Sequence, residues 1–193
     1  MSLFTIGSAT QAELIIKKSK FVAFLIPILT ENELKEKLAC IKKDYSDSTH
    51  ICYAYIINPN IEKCYDDNEP TGTAGLPMLT FLKHNKLTNV LAVVVRYYGG
   101  IKLGAGGLIR AYKNAVNLAF EKSQLIVFKS YENFIFELNY DEINGFLENK
   151  QNYYQVNSII YNEKVEIILA IEKDKVELFK QNFPHIKLSK KEE

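Results

Sequence analysis

The sequence predicts an α+β protein of two domains, and three observations carry that prediction. At 193 residues the chain is long enough for one large or two small domains. Runs with strand character and runs with helical spacing occur in both halves. Near residues 122–130 the charge balance changes. Residues 1–122 carry 15 Lys/Arg against 11 Asp/Glu, or +4, and residues 123–193 carry 9 against 12, or −3. The expected domains are therefore 1–126 and 127–193.

The elements of the first domain follow in order. ELIIKKSKFVAFLIPI (13–28) reads as extended, with basic residues interrupting a partly alternating apolar run. Thr30-Glu31-Asn32-Glu33 has capping-box spacing, and Leu34, Leu38 and Ile41 follow at helical intervals, so 31–43 is a helix. ICYAYII (51–57) is a strand rich in aromatic and branched residues. An acidic loop, CYDDNEPTGTAGLP, then leads into a short helix around 75–84. VLAVVV (90–95) is continuously apolar, as a strand buried on both faces must be. A glycine-rich loop follows, then a long helix to about Lys122. Its stripe of Leu108, Ala111/Tyr112, Ala115 and Leu118/Ala119 faces inward, and Arg110, Lys113, Asn114, Asn117 and Glu121 fall on the other side.

The second domain reads as strand 131–139, helix 141–150, strands 153–161 and 164–171, helix 174–182 and a short final strand near 185–188. Asn139-x-x-Glu142 and Asp174-x-x-Glu177 mark the helix starts, and Tyr161-Asn162-Glu163-Lys164 makes a tight hairpin. This βαββαβ order is the split-βαβ, ferredoxin-like arrangement.

Composition narrows the function classes. Apolar residues at 47% and charged residues at 24% are ordinary for a globular protein. No apolar run reaches the roughly 18 residues of a membrane span, and the N-terminal stretch lacks the pattern of a secretory signal. Cys40, Cys52 and Cys64 are odd in number and form no C-x-x-C pair, which argues against disulfides or structural zinc and for a reducing cytoplasm. All three read as small, part-buried hydrophobes.

The segment RYYGGIKLGAGGLIRAY (96–112) concentrates five of the nine glycines and both arginines of a chain whose other 22 cations are lysine. Glycines between a buried strand and a helix let backbone amides surround an anion, and the helix start adds partial positive charge. Arginine supplies a planar fork for phosphate or carboxylate. Two standard motifs fail. Gly99-x-x-x-x-Gly104 is followed by Ala105 where a Walker A loop has Lys, and Ile109 stands where the dinucleotide fingerprint has Gly. Two readings remain: an anion or nucleic-acid site built from Arg96, Tyr97, Gly99, Gly100, Lys102, Gly104, Gly106, Gly107 and Arg110, or a corner whose glycines serve positive φ and close packing. Tyr97 and Tyr98 offer faces for stacking bases, unless one of them packs into the core.

The remaining candidates flank that loop. Asp66, Asp67 and Glu69 are placed to pair with the arginines, and their run lacks EF-hand spacing, so no metal is expected. His50 is either an acid, base or ligand or a hydrogen-bonded structural residue. Thr71 and Thr73 either cap helix 75–84 or join a ligand site. No residue is assigned a catalytic role and no cofactor is called for.

The blocks KKSKF, DSTHICYAY, DDNEPTGTAGLP, LTNV and RYYGGIKLGAGGLIRAY, in that order, resemble the signature of the YigZ/IMPACT family across about residues 10–122. The resemblance implies a first domain with the ribosomal-protein-S5-domain-2-like fold, shared with a domain of elongation factor G and with small-molecule kinases, and a ferredoxin-like second domain. It carries over no reaction. Eukaryotic relatives act on translation by binding a regulator of an initiation-factor kinase, with help from an extra N-terminal domain, and that partner is not carried over. Two positions depart from the family pattern: Asn68 stands for a usual Gly, and Val95 for a usual Thr. The expected function is a non-enzymatic, translation-associated protein that contacts RNA, the ribosome or a protein partner through loop 96–110. The alternative is a small enzyme holding a phosphorylated ligand or nucleotide there, with His50 and the acidic loop supplying acid–base or Mg²⁺ chemistry.

Overall fold

Residues 3–58 and 60–191 are described by a computed structural model, in which the chain divides into two units, Met1–Phe128 and Lys129–Glu193. The first contains β1 (Leu3–Ile6), β2 (Thr10–Ile16), β3 (Ser19–Pro27), α1 (Glu31–Asp44), β4 (His50–Ile57), β5 (Ile61–Tyr65), α2 (Gly75–His84), β6 (Val90–Tyr97), α3 (Ala105–Phe120) and β7 (Leu125–Phe128). Five strands form an antiparallel sheet in the order β2-β3-β6-β4-β5, and β1 and β7 form a separate antiparallel ribbon.

Alternation along β6 explains the layering. Val90, Ala92 and Val94 pack with Met78 and Leu82 of α2 and Ala111, Tyr112 and Ala115 of α3. Leu91, Val93 and Val95 join Leu34 and Ile41 of α1 on the opposite face. The strand is therefore covered on both faces, as its unbroken apolar run predicts. Arg96, next in the even series, turns toward α2 and α3.

The run expected to be extended through 13–28 is a hairpin. Its turn is Lys17-Lys18, with φ of 44° and 64°, the positive pair that a two-residue hairpin turn requires. Lysines there give no turn signal, because Asn and Gly are the usual occupants. Helix α1 begins as its capping spacing predicts: the Glu33 amide donates to the Thr30 hydroxyl at 3.2 Å. The Glu33 carboxylate accepts from Leu29, at 2.8 Å, one residue earlier than the standard box.

The second unit contains β8 (Tyr131–Leu138), α4 (Ile143–Glu148), β9 (Tyr154–Tyr161), β10 (Val165–Glu172), a 3₁₀ turn (Lys173–Lys175), α5 (Val176–Asn182) and β11 (Ser189–Lys190). The sheet order is β11-β8-β10-β9, antiparallel throughout. Phe136, Phe146, Tyr154, Phe179 and Phe183 stack into its core. The expected last strand at 185–188 is displaced: Ile186 is buried and Leu188 packs on the core, so pairing begins at Ser189. No helix among the described residues is long and apolar enough to cross a membrane.

Candidate functional site

The acidic loop is tied down by its own backbone. The Asp66 carboxylate accepts the amides of Gly72, Ala74 and Gly75 at 2.9, 3.0 and 2.8 Å, so it caps the start of α2 from a distance. The threonines do not cap it. Thr73 is buried and donates its hydroxyl to the Pro70 carbonyl at 2.6 Å, Thr71 is exposed, and the residue preceding the helix is Ala74. The Asp67 carboxylate accepts the Ile51 amide at 2.6 Å. Asp67 and Asn68 have φ of 45° and 63°. Asparagine tolerates that left-handed conformation, which is why it can stand where the family pattern has glycine.

Arg96 meets this loop inside the protein. Its Nη1 donates to Glu69 Oε1 at 2.5 Å, and the two side chains are 5% and 3% exposed. The Tyr112 hydroxyl donates to the same Glu69 oxygen at 2.7 Å, and Arg96 Nη2 reaches Ser19 Oγ at 3.4 Å. The guanidinium lies 5.3 Å from the Phe21 ring centre and 5.4 Å from that of Tyr98, a cation between two aromatic faces. The expectation that Arg96 reaches out to a partner is thus corrected. Strand alternation turns it inward, and a buried carboxylate holds it there.

His50 is the cross-strand partner of Arg96. Its Nδ1 lies 2.7 Å from the Asp67 carbonyl, which can only accept, so Nδ1 carries the proton and Nε2 faces Glu69 at 4.0 Å. Behind the pair, the Cys52 thiol donates to the Asp66 carbonyl at 2.9 Å, and burial pushes its pKa up to about 12. Burial likewise holds the Tyr112 phenol far above its usual range, with Cys52 and Glu69 adding to the effect. Cys40 departs from the expectation of part-burial, being exposed on α1.

The glycine loop is built differently. The Gly99 amide donates to Ser19 Oγ at 3.2 Å, and a Cβ on Gly99 would overlap the Lys18 carbonyl, so the loop and the Lys17-Lys18 turn are in direct backbone contact. Gly100 follows on the surface. Gly104, at φ 72°, adopts a conformation costly to other residues and sets up α3, whose first turn is Ala105, Gly106 and Gly107. No side chain caps this helix and no acid lies in its first turn. Lys102 is exposed beside it. Arg110 folds back along the helix, with Nη1 3.7 Å from the place a Gly106 Cβ would occupy. A cation at the positive end of a helix is unfavourable by about 0.3–1 kcal/mol, and an anion bound there reverses the sign.

The two loops enclose a cleft of about 430 Å³. Its lining includes Thr49, His50, Glu69 and Arg96 together with Tyr98, Lys102, Gly104 and Ala105. Tyr98, not Tyr97, supplies the aromatic face and is 44% exposed. Tyr97 turns to the α1 side and donates its hydroxyl to Asp47 at 2.9 Å, a bond that raises its pKa. Among the described residues no cluster of His, Cys, Asp and Glu is arranged to hold a metal ion. Sequence reasoning missed Ser19, Tyr112 and the Lys17-Lys18 turn. All three lie inside blocks that carry the family resemblance, the turn and Ser19 in KKSKF and Tyr112 at the end of RYYGGIKLGAGGLIRAY, but no local turn or pairing chemistry assigns them these roles.

The family model for the Impact N-terminal domain matches residues 17–120. Over 184 residues the chain is 39% identical to the IMPACT family member YvyE of Bacillus subtilis, covering 93% of this chain and 84% of that one. The chain belongs to the IMPACT family. An IMPACT family member of Haemophilus influenzae is 33% identical over 178 residues, covering 89% of this chain and 86% of its own. The crystal structure of a hypothetical protein superposes with a TM-score of 0.71 at 27% identity, covering 100% of this chain and 98% of that one. Human Protein IMPACT is 32% identical over 114 residues, 55% of this chain and 35% of that protein. The Lys17-Lys18 turn, the acidic loop and the glycine loop all lie within the family's matched segment, and the second unit lies outside it.

Proposed function

We propose that this IMPACT-family chain is a non-enzymatic, translation-associated binding protein of the cytoplasm that holds RNA phosphates at the glycine loop of its first unit. The observation that carries the reading is the start of α3: a helix end with no side-chain cap, flanked by Lys102 and Arg110 and opening onto a cleft. Backbone amides and two cations there suit a phosphate, and Tyr98 offers a half-exposed ring for the adjoining base. The link to translation rests on the action of the family's eukaryotic members. It is supported by reading the five-stranded sheet as the S5-domain-2-like fold and the β11-β8-β10-β9 order as ferredoxin-like, both shared with elongation-factor domains.

The enzymatic reading finds less support. Catalysis by the acidic loop needs a carboxylate free to move a proton or hold Mg²⁺, and Asp66, Asp67 and Glu69 each hold part of the fold in place. The test is anisotropy of fluorescent single-stranded RNA across a salt series, with the intact chain and a Lys102→Ala/Arg110→Ala variant. Binding should weaken with salt, and the variant should lose about tenfold in affinity and about 1.4 of the log–log slope, from ~0.7 per phosphate contact. Equal binding by the variant, or no RNA binding with stabilisation by nucleotides instead, overturns the proposal.

A further inference from the structure

We infer that the groove between α2 and α3 is a docking surface for an acidic amphipathic helix of a partner protein. The first ground is charge. From Pro70 to Phe120, 51 consecutive residues contain no Asp or Glu and six Lys/Arg, while all 23 acids lie in the other 142 residues. Both helices fall within that window, so their charged side chains are Lys83, Arg110 and Lys113, and the nearest acid past α3, Glu121, accepts from groove-lining Asn117 at 2.7 Å.

The second ground is shape and polarity. The groove measures about 670 Å³, with Pro77 and Phe81 buried in its floor. Leu76 on α2 and Ile109 on α3 stand at its two walls, 52% and 40% exposed. Exposed aliphatic side chains facing each other across a helix pair are what an incoming apolar stripe at i, i+3 and i+4 would cover. Lys113 and His84 line the same groove. Lys113 makes no ion pair among the described residues, whereas neighbouring Lys83 is held by Glu62 at 2.8 Å. The combination commits the partner's chemistry: apolar on the buried side, acidic on the flanks. RNA fits less well, because Phe81, the one Phe, Tyr or Trp lining the groove, is buried, which leaves the exposed imidazole of His84 as the single ring available to a base.

This surface is separate from the RNA reading, since Lys102 and Gly104 lie in the other cleft. The test pans a library of displayed peptides of about 16 residues against the intact chain, then measures the best peptide against variants. Enriched peptides should be rich in Asp and Glu with apolar residues at helical spacing. Leu76→Asp/Ile109→Asp should weaken binding by about tenfold or more and Lys113→Glu by about fivefold, with Lys102→Ala unchanged. Leu76 and Ile109 are surface residues, so an unchanged thermal midpoint checks the fold, and Lys113→Glu gives an answer even if the double variant is unstable. Basic, uncharged or absent enrichment overturns the inference. So does binding indifferent to these changes, or an RNA oligonucleotide that shifts the amide signals of Ile109 and Lys113 where no peptide does.

Discussion

Across one cleft, the acidic loop and the glycine loop treat their polar groups in opposite ways. In the acidic loop each carboxylate has a fixed duty: Asp66 holds three amides of the α2 start, Asp67 the Ile51 amide, and Glu69 both Arg96 and Tyr112. In the glycine loop the start of α3 has no side-chain cap, and the neighbouring Lys102 and Arg110 make no ion pair among the described residues. Both stretches look equally functional as sequence. The difference teaches that a charged motif marks a site only where the fold leaves its charge unmatched. Arg96 and Arg110, 14 positions apart, illustrate this: one completes the interior and the other does not.

Changes in the acidic loop should therefore cost stability, and changes in the glycine loop should cost binding. The largest effect is expected at the buried pair. Arg96→Ala or Glu69→Ala strands an unpaired charge and should lose about 3–5 kcal/mol in urea unfolding. The double substitution should lose less than the sum, and strict additivity would break the argument. Asp66→Ala leaves three amides at the α2 start without their acceptor and should cost about 1–3 kcal/mol. RNA affinity measured well below the melting temperature should stay the same.

Cys52 gives a pH test of the interior behind the acidic loop. Its raised pKa favours the neutral thiol in the folded chain, so this contribution is full below pH 9 and is lost as pH rises toward about 12. At pH 8 a thiol reagent should label exposed Cys40 readily and Cys52 only on unfolding; equal rates would contradict the buried arrangement. The smallest stability effect belongs to Lys102→Ala/Arg110→Ala, at under about 0.5 kcal/mol. A loss of several kcal/mol there would erase the contrast between the loops.

Most elements were legible because periodicity and capping are local. Thr30 and Glu33 announce α1, and the unbroken run at 90–95 announces a covered strand. β5 leaves no strand signal, because Ile61–Tyr65 is exposed or only part-buried and carries Glu62 and Lys63, so no alternation shows, and its Cys64 and Tyr65 read as the start of the acidic loop. β1 and β7 are four-residue strands whose paired residues lie 119 to 125 positions apart, with one further bridge from Phe4 to Leu87, so nothing local announces them. The interior duties of the site were hidden for the same reason. The Arg96–Glu69 contact depends on β6 lying beside β4, and the Tyr112 contact on α3 crossing the sheet. Composition suggested that acids and arginines meet, and only the fold says which acid and which arginine.

The position of β6 also shapes how the sheet must assemble. β2-β3 and β4-β5 are local hairpins, and β6 is inserted between them, hydrogen-bonded to β3 and β4 at once. A chain emerging from the ribosome N-terminus first presents both hairpins before residues 90–97 exist. Until then the inner edges of β3 and β4 offer unpaired backbone along largely apolar strands, inviting each other or another nascent chain. The last strand of the sheet to be synthesised is its keystone, so delayed emergence of β6 lengthens the interval in which two correct halves can join wrongly.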